Sequence, residues 1–545
     1  MLVAVAAGSG GGGQLRPLRD DGRPTGPVEP AADLATAVDE RASAGGTPPR
    51  WLWATTGAIY PALSRAGVRV DRCHDVELTE TLLLGYAGRW GEPRSLAAAH
   101  ARLTGAPVPP DPPVHAAAPP GHDQPALFDD LPTSVTVTDP LGALAAVYAD
   151  QRRRIAATAH PERFRLLAAA ESAGALAAVE MGATGLPWRA DVHDALLTEL
   201  LGPPSPVGGQ PHRLVELSAR IAAAFGVRQL HADSPAEVLR AFNRAGVHLP
   251  NTRAWVLRGV DHPAVPLLLE YKELHRIWTA HGWTWRDAWV RDGRFRPEYV
   301  PGGVVSGRWA TRGGGALQIP KVIRRAAVAD AGWRFVVADA AQLEPRLLAA
   351  MSGDDRLAAA GSAGDLYAAL ARDAFGGDRD RAKAALLGAM YGQTGGAAVP
   401  ALAVLRRNYP VAFEYVEAAA RTGESGGLVR SWLGRTCPPA ATGAPAAGDD
   451  HARGRFTRNF VIQATAAEWA LILLAAARQA LAGTAAELVF FQHDEVVVHC
   501  PAGQAAAVAE CLREVAARAT RMLFGDTPVR VPLDLATVTC YADAL

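Results

Sequence analysis

Residues 488–500 read Leu-Val-Phe-Phe-Gln-His-Asp-Glu-Val-Val-Val-His-Cys, two apolar runs with Gln492, His493, Asp494 and Glu495 planted between them. β-branched and aromatic residues favour strands. Burying an unpaired carboxylate costs several kcal/mol or more. The four polar residues therefore predict the bend of a hairpin, with adjacent Asp and Glu turned toward a metal or a site.

A chain of 545 residues can hold two to four domains with substantial cores. Apolar residues make up 49 %, which predicts a globular protein, and the Ala-rich stretches predict much helix. The formal net charge of zero excludes a protein held to nucleic acid by bulk charge alone, but not one with a locally basic cleft. Cys73, Cys437, Cys500, Cys511 and Cys540 show no CxxC spacing, so a reducing compartment and no structural zinc are expected. Met1–Ala7 lacks the basic start of a secretory leader. The apolar run Ala466–Ala476 carries Glu468 and precedes Arg478, so it reads as a packed helix rather than a membrane span. The expectation is a soluble cytoplasmic protein.

Residues 51–104 alternate short apolar runs with helical patterns, as in a small α/β unit, and the Pro-rich residues 105–125 read as a loop or linker. From Leu141 to Ile277 the pattern is helical, broken at Gly202-Pro203-Pro204 and at Ser234-Pro235. Trp333–Ala338 reads as a strand, 378–391 and 455–480 as helices, 488–500 as the hairpin, 503–523 as a helix, and Val529–Thr539 as a last strand. Strands alternating with unequal helical blocks predict an α+β multidomain chain, a sheet platform carrying helical subdomains.

Asp339 ends the first of these strands. Alone it reads equally well as a helix cap. On a strand adjacent to the hairpin, Asp339 and Asp494 would suit two Mg²⁺ ions, which prefer carboxylate oxygens and keep coordination places for phosphate. Such a pair clamps the attacking and leaving oxygens of a phosphoryl transfer. Arg379, Lys383, Leu387 and Tyr391 recur every fourth residue, one stripe roughly 18 Å long on a helix. Two cations followed by an aromatic match a nucleoside triphosphate, phosphates first and base last; a basic surface helix is the plainer alternative. Arg455, Asn459 and Gln463 form a second stripe, of donors that match the minor-groove acceptors present on every base pair. A solvated polar face would look the same.

Together these blocks resemble family A DNA polymerases, the bacterial DNA polymerase I type, over roughly residues 165–545. Asp339-Ala-Ala-Gln-Leu-Glu-Pro-Arg346 resembles motif A, Asp-Tyr-Ser-Gln-Ile-Glu-Leu-Arg. Arg379, Lys383, Tyr391 and Gly392 resemble motif B, and Gln492-His493-Asp494-Glu495 resembles motif C. The Arg455, Asn459, Gln463 block and Ser306-Gly307-Arg308 followed by Leu317-Gln318-Ile319-Pro320 resemble two further blocks of the family, in the family's order.

The resemblance implies a right hand: a helical thumb at 165–300, and palm and fingers at 301–545, with the fingers at about 350–430. An α/β RNase H-like domain of the 3′–5′ exonuclease type would occupy 1–150. It implies template-directed addition of deoxynucleotides to a primer 3′-OH, in repair or replication, by a monomer bound to primer–template DNA and deoxynucleoside triphosphates, nucleoid-associated and without a membrane. Asp339 and Asp494 would ligate two Mg²⁺ ions, with Mn²⁺ as a substitute. Arg379 and Lys383 would hold the triphosphate, Lys383 also as a proton donor to pyrophosphate. Gln342, Leu387, Tyr391 and Glu344 would line the nucleotide, the last two excluding a ribose 2′-OH. Arg308, Arg455, Asn459, Gln463 and His493 would contact DNA, and Glu495 would be auxiliary.

The chain departs from the family at Ala340, Ala341, Pro345, Leu386 and Leu387, which puts sugar discrimination and fidelity in question. No early-strand Asp-x-Glu appears, Asp75-Val-Glu77 lies in a different setting, and Tyr148 is followed four residues on by Arg152 rather than Asp. The exonuclease-type domain is therefore expected to be vestigial. Alternatives are a bifunctional enzyme with residual proofreading, a single-subunit RNA polymerase, and a non-catalytic DNA-binding relative.

Overall fold

In the computed structural model, described for residues 1–113, 137–204, 208–362, 364–392, 398–439 and 449–544, Val3 and Val5 alternate with Leu2 and Ala4 across the two faces of one strand. That strand, β1 (Leu2–Ala7), is the centre of a five-stranded sheet with β2 (Gly13–Leu18), β3 (Glu29–Ala31), β4 (Arg50–Trp53) and β5 (Arg72–Asp75). The order is β3-β2-β1-β4-β5, antiparallel at β1–β2 and parallel at β1–β4 and β4–β5. Apolar residues on both faces demand cover on both. Val3, Val5, Trp51 and Trp53 form one core, and Leu2, Ala4 and Leu52 form another with Leu141 and Leu144. The α/β unit thus begins at residue 2, not at 51. Residues 114–125 of the expected linker lie outside the described residues.

Next comes α1 (Pro161–Thr184), then helices Ala190–Leu201, His212–Ala224, Pro235–Arg244 and Ala264–His281. Ser234 caps the Pro235 helix by accepting the Glu237 N–H at 3.4 Å, as its Ser-Pro start predicts.

The second large sheet is antiparallel and joins β6 (Trp333–Ala340) to three later strands. Between them run α2 (Leu343–Ser352), α3 (Leu366–Ala374), α4 (Arg379–Tyr391) and α5 (Asp449–Ala480). After α5 come β7 (Glu487–Gln492), β8 (Glu495–Pro501), α6 (Ala505–Phe524) and β9 (Leu533–Val538), and the strands lie in the order β7-β8-β6-β9. The last strand is shorter than its apolar run, because Pro532 at its start has no N–H to give a neighbour.

Period-two alternation decides which side chains face which layer. Val336, Ala338 and Ala340 join Val496 and Val498 in a core with α1, α5 and α6. Phe335 and Val337 join Val489 and Val497 in a second core with the 186–327 helices. The helices Pro161–Thr184 and Asp450–Ala480 are long and apolar enough to cross a bilayer, and 89 % of the apolar window in the second is buried inside the protein.

Candidate active site

Asp339 sits on the odd-numbered face of β6, one residue before its end. In the register it lies directly opposite Glu495 of β8 on one side and Asp534 of β9 on the other. Asp494 occupies the two-residue turn between β7 and β8, where Gln492 pairs with Glu495. His493 turns the corner at φ +60, and the Asp494 carbonyl accepts the Ala340 N–H at 3.2 Å. That bond fastens the turn to the end of β6, so two carboxylates about 150 residues apart in sequence share one end of one sheet.

Burial, then repulsion from Asp494, Glu495 and Asp534, pushes Asp339 up to about 7. Burial pushes Asp494 up to about 6 against the pull of Arg308. Both shifts arise first from burial of the carboxylates, to which neighbouring negative charge adds. A divalent cation between them would offset both effects, and the donors are all hard oxygens. Among the described residues no three His, Cys, Asp or Glu side chains form a ready-made cage. Two carboxylates with open places suit Mg²⁺, which keeps water and takes substrate phosphates.

Glu495 is committed elsewhere. It is buried, accepts the Tyr541 hydroxyl and pairs with Arg324 at 3.6 Å. Arg324 in turn donates to Gln492 Oε1 at 2.9 Å, and Gln492 Nε2 donates to the Leu317 carbonyl at 3.0 Å. The hairpin is thereby tied to the Leu317–Pro320 block. Asp534 is exposed and has no hydrogen bond or ion pair among the described residues.

Further along, Asp378 caps α4 by accepting the Arg381 N–H at 2.9 Å, and Gly392 ends it at φ +69. Arg379, Lys383 and Tyr391 are exposed along it and Leu387 is half-exposed, so the stripe faces outward. Arg379 and Lys383 both stand over the Tyr367 ring, 5.6 and 5.9 Å from its centroid. At the far end the Tyr391 hydroxyl donates to Glu344 Oε2 at 2.6 Å, and Arg308 donates to Glu344 Oε1 at 2.7 Å. Arg308, placed among the DNA contacts by the sequence, therefore already has a protein partner. His493 is half-buried, its Nδ1 without a hydrogen bond, and burial followed by Arg308 lowers its pKa.

The Gln342 amide is bonded within the protein. The sequence places this residue among the nucleotide-binding side chains. Its oxygen accepts the Leu366 N–H and an Arg346 N–H, and its nitrogen donates to Asp365. The cause is backbone: Gln342 turns from strand to helix at φ +55, which aims its side chain at the start of α3.

On α5, Arg455 is exposed, and Asn459 and Gln463 are half-buried, with Asn459 Oδ1 lacking a partner. No hydrogen bond or ion pair joins these three to the carboxylates among the described residues; they lie on a separate helix whose N-terminal half meets Gly392 through Arg455. Sequence reasoning missed Asp365, Tyr367, Asp534, Arg324 and Tyr541. Asp365 reads as an ordinary helix cap and Asp534 as the polar position of an alternating strand, so only strand pairing and side-chain contacts reveal them.

Residues 212–540 match the family model described as DNA polymerase family A. The chain is 30 % identical over 310 residues to a DNA polymerase I of Chloroflexus aurantiacus, covering 50 % of this chain and 32 % of that one. It is 28 % identical over 318 residues to a thermostable DNA polymerase I of Thermus thermophilus, covering 52 % and 37 %. The chain spans about a third of the length of these relatives. Among solved structures it resembles the POL domain of Pol1 from M. smegmatis in complex with DNA primer-template and dNTP. The TM-score is 0.73 at 17 % identity, over 99 % of this chain and 95 % of that one.

Proposed function

This chain belongs to DNA polymerase family A, and we propose that it extends the 3′-OH of a primer by template-directed addition of deoxynucleotides, in repair or replication. The observation that carries the reading is the meeting of Asp339 and Asp494 at one sheet end. The four-stranded sheet would serve as palm, the helices at about 350–430 as fingers, and the helices at 165–300 as thumb.

Asp339 and Asp494 would hold two Mg²⁺ ions, with Mn²⁺ as a substitute; when bound, these activate the attacking oxygen and stabilise the leaving one. The protein's own contribution is positioning. Arg379 and Lys383 neutralise the triphosphate and receive the departing pyrophosphate, Lys383 holding a proton for it at Nζ. Leu387 and Tyr391 pack on sugar and base. Glu344, which holds Tyr391, would exclude a ribose 2′-OH. Arg308, His493, Arg455, Asn459 and Gln463 guide the duplex. Tyr391 and Glu344 favour deoxynucleotides, which separates this reading from an RNA polymerase.

The N-terminal unit is a vestigial exonuclease-type domain. The end of β1 carries Ala6, Ala7 and Gly8, with no carboxylate for a metal. Asp75 is spent on capping, accepting the Thr56 and Leu78 N–H groups at 2.7 and 2.9 Å.

Primer extension with Mg²⁺ tests the reading. Wild type should extend a templated primer with deoxynucleotides and leave a 3′-mismatched end uncut, and Asp494→Ala should abolish extension. Absence of extension by wild type, or full activity in the variant, overturns it.

A further inference from the structure

The expected phosphate-binding cation Arg379 is not loose in the cleft. Its Nε donates to Asp365 Oδ2 at 2.8 Å, while neither terminal nitrogen has a hydrogen-bond partner among the described residues. The guanidinium stands over the Tyr367 ring. A guanidinium gripped at Nε alone keeps its outer edge, the two terminal N–H₂ groups, for one more acceptor, and that edge fits a phosphate in bidentate fashion.

Asp365 is itself held. Its Oδ1 accepts the Ala368 N–H at 3.1 Å, capping α3, and the Gln342 Nε2 at 2.8 Å. Gln342 lies three residues after Asp339, and its oxygen accepts from Leu366 N and Arg346. Arg346 is fully buried and donates to the carbonyls of Ala341, Gly361, Gly364 and Arg530. A rigid chain of bonds thus runs from the end of the metal strand through Gln342 and Asp365 to Arg379 on α4. Burial acts to raise Asp365, but the bonds from Arg379, Ala368 and Gln342 outweigh it and hold the carboxyl down at about 2. It stays charged wherever the protein is folded and active.

We propose that Asp365 is the positioning residue for Arg379: it fixes the guanidinium by Nε so that the terminal nitrogens meet the triphosphate, in register with the catalytic strand through Gln342. This rests on the polymerase reading above. It deepens that reading by assigning an orienting anion that none of the sequence motifs contains.

The test uses the full chain with primer–template and Mg²⁺, varying deoxynucleotide concentration in wild type, Asp365→Asn, Arg379→Ala and the double variant. The Asp365→Asn change keeps the helix-cap oxygen but loses the charge and the acceptor facing Arg379. The expected result is a KM for nucleotide raised about tenfold with kcat within about threefold, and a double variant no worse than Arg379→Ala. Equilibrium binding of a fluorescent deoxynucleotide to the complex with a dideoxy-terminated primer should weaken by the same factor. An unchanged KM in Asp365→Asn, or additive losses in the double variant, overturns the proposal. A fall in kcat and melting temperature with KM unmoved also overturns it, because that is what a purely structural cap would give. Failure of the polymerase reading is separate: wild type itself would then neither extend nor bind nucleotide.

Discussion

Tyr391 and Glu344 lie on different helices, 47 positions apart in sequence, and meet in a 2.6 Å hydrogen bond from phenol to carboxylate. Burial, then the bond to Glu344, raises the Tyr391 pKa, so the phenol stays protonated and remains a donor. The contact closes the far end of the α4 stripe against the helix that follows Asp339. Removing the wall should admit a ribose. Glu344→Ala is expected to reduce the preference for deoxynucleotides over ribonucleotides by on the order of 10²-fold, read as the ratio of kcat/KM values in primer extension. An unchanged ratio would place sugar discrimination elsewhere.

Adjacent acids in the hairpin should separate cleanly by experiment. Asp494→Asn is expected to weaken Mg²⁺ or Mn²⁺ binding, measured by calorimetry, by more than ~100-fold, beyond the loss from a missing outer-shell partner. Glu495→Gln keeps an acceptor for Tyr541 but removes the buried charge facing Arg324. It should cost about 3 kcal/mol in denaturant unfolding while metal affinity stays within about threefold.

Gly307 lies at φ +85, and a Cβ there would collide with the guanidinium of Arg435, which is buried against Glu171. Gly332 has a similar φ of +79, but nothing within 4 Å of the same added atom. Gly332→Ala should therefore cost only the left-handed backbone term, about 1–2 kcal/mol. Gly307→Ala adds displacement of a buried ion pair and should cost about 3 kcal/mol more. Equal urea midpoints for the two variants would contradict the steric account.

Glu468 lies fully buried on α5, accepting from the Ser431 hydroxyl and the Leu433 N–H. Burial raises its pKa from 4.5 to about 7. The folded chain therefore binds a proton at this site that the unfolded chain releases between those values. Its contribution is fully present below pH 4.5 and lost as pH rises through about 7. Glu468→Gln can accept from Leu433 and donate to Ser431. It should flatten the fall in melting temperature between pH 5 and 8, with a gain of at most about 3 kcal/mol at the alkaline end. Parallel pH profiles for the two proteins would show that Glu468 does not titrate there.

The helix over 379–391 was legible because every determinant is local: an Asp cap, a Gly at its end, and a stripe of four-residue spacing. The hairpin was legible because polar residues between apolar runs have few places to go. Its bend falls at His493-Asp494 as the pattern predicts. Less was legible at 529–539, where apolar composition overstated the strand, and in the first 50 residues, whose Gly- and Pro-rich composition gave no sign of three strands.

The chain by itself determined which side chains carry charge and which elements bear them, because caps, periodicity and turn residues act over a few positions. Tertiary structure alone decided the partners. Asp339 faces Asp534 because β9 pairs with β6, Glu495 is withdrawn because Tyr541 and Arg324 reach it, and Arg379 is held at Nε because Gln342 bends the chain toward Asp365. Those relations depend on strand order and side-chain reach between residues tens to hundreds of positions apart, and no local pattern encodes them.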